Sequence, residues 1–289
     1  REVWAFLRER LPGLAPRPPA VTVRSDAPAA SGLSSSTAQI VALFRAFTDR
    51  SFTGRRVGDR TIAQWAYEFE FAVFHGGGMD HLAVVEGGAL LLDGRESGLP
   101  AVRERMEFPA EWRVVVVDSG TRKDTRHHIR DVRAQLAAGD PALAAYRAVA
   151  DDASERVWGA LRDRDPVALG AAMVRAHEAM RDHQRMSTPL LEEVRTVSQR
   201  AGLPLKLSGA GGGGALVGVC TADTVAETAE RLARALRVSH PRARVIPVSA
   251  APGTVGEPVP AEREARGCPA DQGRTPEAFR HPAARRAAG

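Results

Sequence analysis

Residues 28–38 read Pro-Ala-Ala-Ser-Gly-Leu-Ser-Ser-Ser-Thr-Ala. The stretch follows alternating apolar residues at 20–25 and precedes a helical pattern from about Ser35 to Thr48, which predicts a loop between a strand and a helix. Glycine lets the backbone approach a ligand, and the first amides of a helix lack internal acceptors. Together they predict an anion site suited to phosphate, with hydroxyls for a phosphate oxygen or Mg²⁺. The alternative is an ordinary serine-rich N-cap.

Two carboxylates follow this loop. Glu68 lies on a helix predicted from Thr61 to Phe74, and Asp80 follows the glycine run at 76–78. Phosphoryl transfer uses carboxylates to hold a metal and to orient or deprotonate the accepting hydroxyl. On bare chemistry alone, an aspartate after a glycine run is more often a turn residue. A hairpin is predicted next, with strands at 82–85 and 89–92 that turn at Gly87 and Gly88.

A second glycine-rich segment, Lys-Leu-Ser-Gly-Ala-Gly-Gly-Gly-Gly, occupies residues 206–214 between two strand-like runs. It has five glycines in six positions, whereas a hairpin needs one or two. Such a run offers several free amides to an anion. A further apolar run at 114–117 predicts a buried strand that ends in a polar turn, Asp118 to Arg122. A substrate contact by Asp118 or Arg122 and a plain strand-end turn explain this segment equally well.

These segments resemble, in the same order, the motifs of the GHMP kinases, which include galactokinase, homoserine kinase, mevalonate kinase and phosphomevalonate kinase. Residues 28–38 resemble P-x-x-x-G-L-S-S-S-x-A, and residues 66–81 resemble the galactokinase stretch A-E-N-x-F … G-x-M-D-Q. Residues 206–214 resemble K-L-T/S-G-A-G-G-G-G, the form in mevalonate kinases, and 187–193 resemble a stretch of mevalonate and heptose kinases. The Gly-Lys-Ser/Thr ending of a Walker A loop is absent.

The resemblance implies an α+β fold in two lobes. Residues 1–125 would form a βαβ-type, ATP-binding N-terminal lobe, and residues 126–250 a ferredoxin-like, split βαβ C-terminal lobe. The family carries an earlier motif of the G-R-V-N-L-I-G-E-H kind that has no counterpart before residue 28, so we expect the first lobe to be incomplete at its front. Residues 251–289 contain almost no large apolar side chains, which predicts a disordered tail.

The resemblance also implies roles for individual residues. Asp80 would be the catalytic base, and Ser36 and Glu68 would bind Mg²⁺. Glu70 is the competing choice for the metal, and His81 stands where galactokinases have Gln. The amides that would bind the phosphates of ATP belong to two loops: Gly32, Leu33, Ser34, Ser35 and Ser36, and Gly209, Ala210, Gly211, Gly212 and Gly213.

The implied activity is ATP-dependent phosphorylation of a hydroxyl on a small molecule, in the first instance a sugar, with ATP and Mg²⁺ as cofactors. One alternative is a kinase of the mevalonate or heptose-phosphate type, and another is a non-catalytic GHMP-fold sensor. A diphosphomevalonate-type decarboxylase shares the fold, but its usual A-S-S-A loop differs from residues 34–37.

Composition excludes several other classes of function. The net charge of +5 is almost entirely due to arginine, and no basic block is interleaved with aromatic residues, so we expect no nucleic-acid partner. Cys220 and Cys268 form neither a disulfide framework nor a zinc site, which indicates a reduced, cytoplasmic setting. No apolar run approaches the roughly 18 residues of a membrane span. We expect a monomer or homodimer in carbohydrate metabolism.

Overall fold

Helices whose apolar faces meet in one core build the N-terminal part of the fold. The structure, a computed structural model, describes residues 1–28, 31–49, 53–54, 57–74, 78–95, 98–122 and 125–251. The helices of this part are α1 (Glu2–Arg10), α2 (Ser35–Phe47), α3 (Asp59–Phe74) and α4 (Met79–Glu86).

Aromatic rings fill the centre of this helical core. Phe44 of α2 is fully buried, and its ring centroid lies 5.6 Å from that of Phe6 and 6.0 Å from that of Phe69, both in edge-to-face geometry. Trp4 packs edge-on against Phe47, with the ring centroids 5.0 Å apart. Such pairs add to the stabilisation from buried area. They hold α1, α2 and α3 against one another, so that the start of α2 faces α3.

Two antiparallel sheets follow. A two-stranded sheet pairs β1 (Ala89–Asp93) with β2 (Ala101–Met106). The four-stranded sheet has the order β4-β5-β3-β6. Its strands are β3 (Trp112–Asp118), β4 (Lys206–Leu207), β5 (Ala215–Thr221) and β6 (Arg244–Val248).

The register of the larger sheet brings two of the predicted segments together. Asp118 at the end of β3 lies opposite Ala215 at the start of β5 and opposite Arg244 of β6. Because β3 and β5 run antiparallel, the polar turn that leaves β3 and the glycine loop that enters β5 lie at the same edge of the sheet.

The remaining helices lie in the C-terminal part. Those that pack on the sheet have apolar faces that meet Val115 and Val117 of β3, both fully buried. Three of the five begin with proline directly after a capping side chain: Asp140, Asp165 and Thr188 each accept a hydrogen bond from a first-turn amide. The helices are α5 (Thr125–Ala138), α6 (Pro141–Asp163), α7 (Pro166–Gln184), α8 (Pro189–Arg200) and α9 (Val225–Ser239).

The α+β class is confirmed, but two predicted elements are wrong. Residues 20–25 form no strand. Residues 82–85 lie in α4 rather than in a hairpin, because the buried positions of that segment, among them His81, Leu82 and Val85, recur with a helical period. Gly87 and Gly88, both with positive φ, end this helix, and β1 then pairs with β2.

The lobe boundary predicted at residues 125/126 stays a prediction. The described residues all belong to one compact unit, and β3, which precedes that boundary, pairs with β5 and β6, which follow it. Apart from Ala251, the tail predicted at 251–289 lies outside the described residues. Within the described ranges, no helix is long and apolar enough to cross a membrane.

Candidate functional site

The serine loop enters α2 through two left-handed residues. Gly32 has φ 86° and Ser34, the N-cap residue, has φ 53°. No described side chain caps the helix, so within the described structure its first-turn amides have donors for an outside acceptor. A left-handed turn before a helix N-terminus gathers such amides around an anion, which the helix dipole also favours. The backbone at residues 32–36 therefore has a conformation in which it could bind a phosphate, as the sequence predicts.

A carboxylate of α3 meets the first turn of α2. The Ser36 hydroxyl donates to Oε1 of Glu70 at 3.3 Å, and the Thr37 hydroxyl donates to Oε2 of Glu70 at 2.8 Å. Nε2 of His81, from α4, lies 2.8 Å from the same Oε2. Glu70 is only 9% exposed, so three elements converge on a carboxylate that is nearly excluded from water.

Burial and polar contacts shift the pKa of Glu70 in opposite directions. Burial raises the pKa of its carboxyl group, because the charged form loses solvation. The contacts with His81, Thr37 and Ser36 favour the charged form, and together they hold the pKa of Glu70 below its ordinary value. Glu70 is therefore a carboxylate at neutral pH, as a metal ligand must be.

Glu68, the acid predicted to bind the metal, lies on another face of α3. Its Oε2 accepts from Arg10 at 2.9 Å and its Oε1 accepts from Gln64 at 3.0 Å. Residues two apart on an α-helix point roughly 200° away from each other, so only one of the two acids can face α2. Of these two acids, Glu70 is the one that contacts Ser36, and the metal role predicted for Glu68 stays a prediction.

Asp80 lies in the first turn of α4, where its side chain is exposed. The helix begins after Gly78, which has φ 79°, and a Cβ there would be crowded by Leu99 at 3.0 Å and Tyr67 at 3.1 Å. His81, the next residue, is buried and reaches Glu70. The first turn of α4 therefore exposes Asp80 to solvent, while His81 of the same turn contacts Glu70 in the interior.

Two glycines of the loop at 209–214 lie too close to neighbouring backbone to be replaced by a residue with a side chain. A Cβ on Gly211 would lie 2.2 Å from the Met186 carbonyl oxygen, and one on Gly214 would lie 2.4 Å from that of Ser31. Both glycines also have positive φ, at 67° and 82°. The glycines are thus required by the close approach of neighbouring backbone as well as by conformation.

The glycine loop is hydrogen-bonded to the serine loop. The Ser208 hydroxyl donates to the Gly32 carbonyl oxygen at 2.8 Å, and the Ala215 amide donates to the Ser31 carbonyl oxygen at 2.7 Å. The Gly214 amide donates to the Thr121 carbonyl oxygen at 2.9 Å, in the turn after β3. Three segments that are distant in sequence therefore form one backbone assembly.

Two residues that the sequence predicted to contact ligands make hydrogen bonds to other parts of the protein within this assembly. The Gly212 amide donates to the Met186 carbonyl oxygen at 2.6 Å, so it is not available to phosphate. Oδ2 of Asp118 lies 2.6 Å from a guanidinium nitrogen of Arg244, and its Oδ1 accepts from the Gly120 amide at 3.2 Å. Asp118 therefore stabilises the strand end.

A buried histidine anchors the strand that leads into the glycine loop. Nδ1 of His177, on α7, accepts from the Leu207 amide at 3.2 Å, and its Nε2 lies 2.7 Å from Oε1 of Glu192 on α8. Because Nδ1 accepts, the proton is on Nε2 and the ring is neutral. Burial lowers the pKa of His177 to about 4, which is consistent with that assignment.

The sequence did not single out Thr37, Ser208 or His177. Thr37 directly follows the serine loop, and Ser208 lies within the quoted glycine motif, but neither spacing nor residue type shows which side chain turns inward. His177 is one of several histidines in a long helical segment. Only its complete burial, at 0% exposed, distinguishes it.

The residues around Glu70 suit a magnesium ion that is shared with phosphates. The described residues contain no cluster of three or more His, Cys, Asp or Glu that could hold a metal by itself. Mg²⁺ commonly takes only one or two protein oxygens and completes its shell with water and substrate phosphates. The Ser36 hydroxyl and the Glu70 carboxylate, beside the uncapped start of α2, are a donor set of that type.

Comparisons with known proteins identify the family. The family model "GHMP kinases N terminal domain" matches residues 1–88, and "GHMP kinases C terminal" matches residues 159–238. A galactokinase from Mycobacterium bovis is 30% identical over 271 residues, which cover 81% of this chain and 73% of the relative.

Mevalonate kinases are also similar to the chain. One from Gibberella zeae is 29% identical over 243 residues, which cover 76% of this chain and 47% of the relative. The solved structure of L. major mevalonate kinase with R-mevalonate has a TM-score of 0.57 and 23% identity over 74% of this chain. The chain spans 64% of that structure, which is less than two thirds of its length.

Proposed function

The chain belongs to the GHMP kinase family, and we propose that it catalyses ATP-dependent phosphorylation of a hydroxyl group on a small molecule, with a sugar as the acceptor. One observation carries the proposal. The uncapped serine loop, the Ser36–Glu70 pair and the glycine loop form a single hydrogen-bonded site, although they come from distant parts of the sequence. Phosphoryl transfer depends mainly on positioning and charge stabilisation, which such a site provides.

Phosphate binding is assigned to backbone amides of the two loops. The amides of residues 32–36 bind the phosphates of ATP at the positive end of α2. Gly209, Ala210, Gly211 and Gly213 add donors from the second loop, while Gly212 is excluded because its amide is already bonded. The tight packing of the glycine loop pre-organises these donors, so little reorganisation is needed when negative charge develops.

Ser36 and Glu70 are the residues that would hold Mg²⁺. When bound there, the ion would neutralise phosphate charge during the transfer. The low pKa of Glu70 keeps the carboxylate charged for this role, and Thr37 supports it from the interior.

We assign to Asp80 the role of the base that accepts the proton of the attacking hydroxyl. Its carboxylate is exposed in the first turn of α4. A carboxylate in hydrogen-bond reach of the acceptor can orient the hydroxyl and take its proton as the new O–P bond forms.

A sugar is preferred as acceptor because of the galactokinase relative, which is 30% identical over most of the chain. A cytoplasmic protein of carbohydrate metabolism, as monomer or homodimer, belongs to the same proposal.

A kinase of the mevalonate or heptose-phosphate type is the second candidate. It is favoured by the form of the motif at 206–214 and by the mevalonate kinase relative at 29% identity. A non-catalytic sensor of the same fold would bind nucleotide or sugar without turnover.

The test is ATP consumption by the purified chain with galactose, other aldoses, heptose phosphates and mevalonate, each with Mg²⁺. Turnover with an aldose alone supports the proposed acceptor, and turnover with mevalonate or a heptose phosphate supports the second candidate. Nucleotide binding without turnover on any acceptor, measured by calorimetry in the same buffer, favours the sensor and contradicts the proposed activity.

A further inference from the structure

We propose that His81 is a positioning residue that holds the Glu70 carboxylate in the orientation for metal binding. This inference rests on the proposed function, in which Glu70 and Ser36 hold Mg²⁺. His81 itself touches no substrate in this proposal, since it acts through Glu70 from the buried side.

The two oxygens of Glu70 have different surroundings. Oε2 is held from the interior by the Thr37 hydroxyl at 2.8 Å and by Nε2 of His81 at 2.8 Å. Among the described residues, Oε1 contacts the Ser36 hydroxyl alone, at the longer distance of 3.3 Å, and Ser36 is exposed. One oxygen is therefore anchored, and the other faces the open side of the site, where an ion would enter.

The surroundings of His81 explain how it can fix a neighbour. Its side chain is 4% exposed, and its ring packs edge-on against Tyr67 with the centroids 5.7 Å apart. Within the described part of the chain, neither ring nitrogen of His81 has an aligned hydrogen-bond partner, and the polar group that the ring meets is the Glu70 carboxylate, with Nε2 2.8 Å from Oε2. Burying an imidazole that has no other polar partner costs free energy, and such a group in a native structure calls for an explanation. A role in orienting Glu70 is that explanation.

The sequence adds an independent reason. His81 directly follows Asp80, so a shift of the turn that moves one residue also moves the other. In metal sites, the outer partners of ligating groups set their orientation, and their loss typically weakens metal binding about 10- to 100-fold. His81 thus links the predicted base and the predicted metal ligand through one turn of helix.

The experiment measures Mn²⁺ affinity in the presence of saturating ADP, from the electron paramagnetic resonance signal of free Mn²⁺. His81→Leu fills the space of the ring but offers no donor, and we expect it to weaken Mn²⁺ binding roughly tenfold or more, with ADP affinity in the absence of metal unchanged. His81→Gln supplies a side-chain N–H donor and should restore most of the affinity.

Two further variants separate positioning from packing. Tyr67→Phe keeps the ring contact with His81 and leaves Glu70 untouched, so Mn²⁺ affinity should equal that of the parent protein. Thr37→Val removes the other donor to Oε2 without altering His81, so it should also weaken Mn²⁺ binding. Thermal unfolding of each variant reports whether it is folded, and if His81→Leu does not fold, Thr37→Val and His81→Gln decide the proposal.

The outcomes distinguish this inference from the proposed function. Unchanged Mn²⁺ affinity in folded His81→Leu, or in Thr37→Val when His81→Leu is unfolded, overturns the inference. A parent protein that binds no Mn²⁺ in the presence of ADP overturns it as well. A parent protein that binds Mn²⁺ but phosphorylates no acceptor contradicts the proposed function, while the loss of Mn²⁺ affinity in His81→Leu would still support the inference.

Discussion

At the scale of single residues, burial differs between the two acids to which we assign different roles. Glu70 is nearly buried, and among the described residues its carboxylate contacts Ser36, Thr37 and His81. Asp80 lies exposed in the first turn of α4. A metal ligand needs a fixed, ionised carboxylate, whereas a base must reach the acceptor and change its protonation state. The two environments match that division.

Replacing Asp80 tests this assignment directly. Asp80→Asn keeps the shape of the side chain but cannot take a proton, so kcat should fall by roughly 10²- to 10⁴-fold. The nucleotide affinity should be retained, because the loop amides that bind phosphate are unaffected. Steady-state kinetics and nucleotide titration measure the two quantities. Asp163→Asn, at the exposed end of α6, serves as the matched control. Turnover that survives in Asp80→Asn would remove Asp80 as the base.

At the scale of elements, one buried network sets the position of β4. His177 on α7 joins the Leu207 amide to Glu192 on α8, and Glu192 also accepts from Ser187 and Arg195. Burial raises the pKa of Glu192, but these contacts outweigh it and lower the pKa to about 2. The strand that carries the glycine loop is thereby fixed to two helices through a neutral imidazole.

This network predicts a loss of stability in mild acid. The folded protein holds the pKa of His177 at about 4, against an ordinary value of about 6.5, so within this window only the unfolded chain binds the proton. The free energy of unfolding should therefore fall as the pH drops through the window, by at most about 3 kcal/mol.

Urea unfolding across that pH range measures the effect. The groups that face His177 are Glu192, Arg195 and Lys206, and the low pKa of Glu192 moves its own contribution to more acidic pH. His177→Gln lacks the titrating ring, so its stability should change less between about pH 6.5 and about pH 4. Equal pH dependence in both proteins would contradict the assigned tautomer and its burial.

At the scale of the whole molecule, the site depends on a contact between segments 176 residues apart. The Ser208 hydroxyl on the glycine loop donates to the Gly32 carbonyl oxygen in the serine loop. The helical core at the N-terminal end places the serine loop, and the four-stranded sheet places the glycine loop. Neither half by itself brings together the two loops to which we assign phosphate binding.

Ser208→Ala should uncouple the two loops. Loss of one hydrogen bond costs only about 1 kcal/mol of stability, so the variant should fold. The rise in melting temperature on adding Mg²⁺ and ADP should be smaller than in the parent protein, because ligand stabilisation falls as affinity weakens. Ser154→Ala, whose hydroxyl donates to the Ala150 carbonyl oxygen on exposed α6, is the control and should behave like the parent. An equal rise in all three proteins would show that the contact does not support nucleotide binding.

Local sequence determined most of the elements and the nature of the site. A capping side chain followed by proline marks the starts of α6, α7 and α8, and apolar periodicity marks α1 and α2. The serine and glycine motifs identified the family and the two loops that meet. These features depend on helix caps, backbone conformations and periodicities within a few residues, so they can be read without the fold.

Only the tertiary structure decided which side chains face the site. The choice of Glu70 over Glu68 depends on how the Phe44 core rotates α3 against α2. The hydrogen bond from the Gly212 amide to the Met186 carbonyl oxygen depends on how α7 ends beside the glycine loop. Residue spacing places a side chain on a helix or in a loop, but its direction is set by packing between elements that are distant in sequence, and no local pattern records that packing.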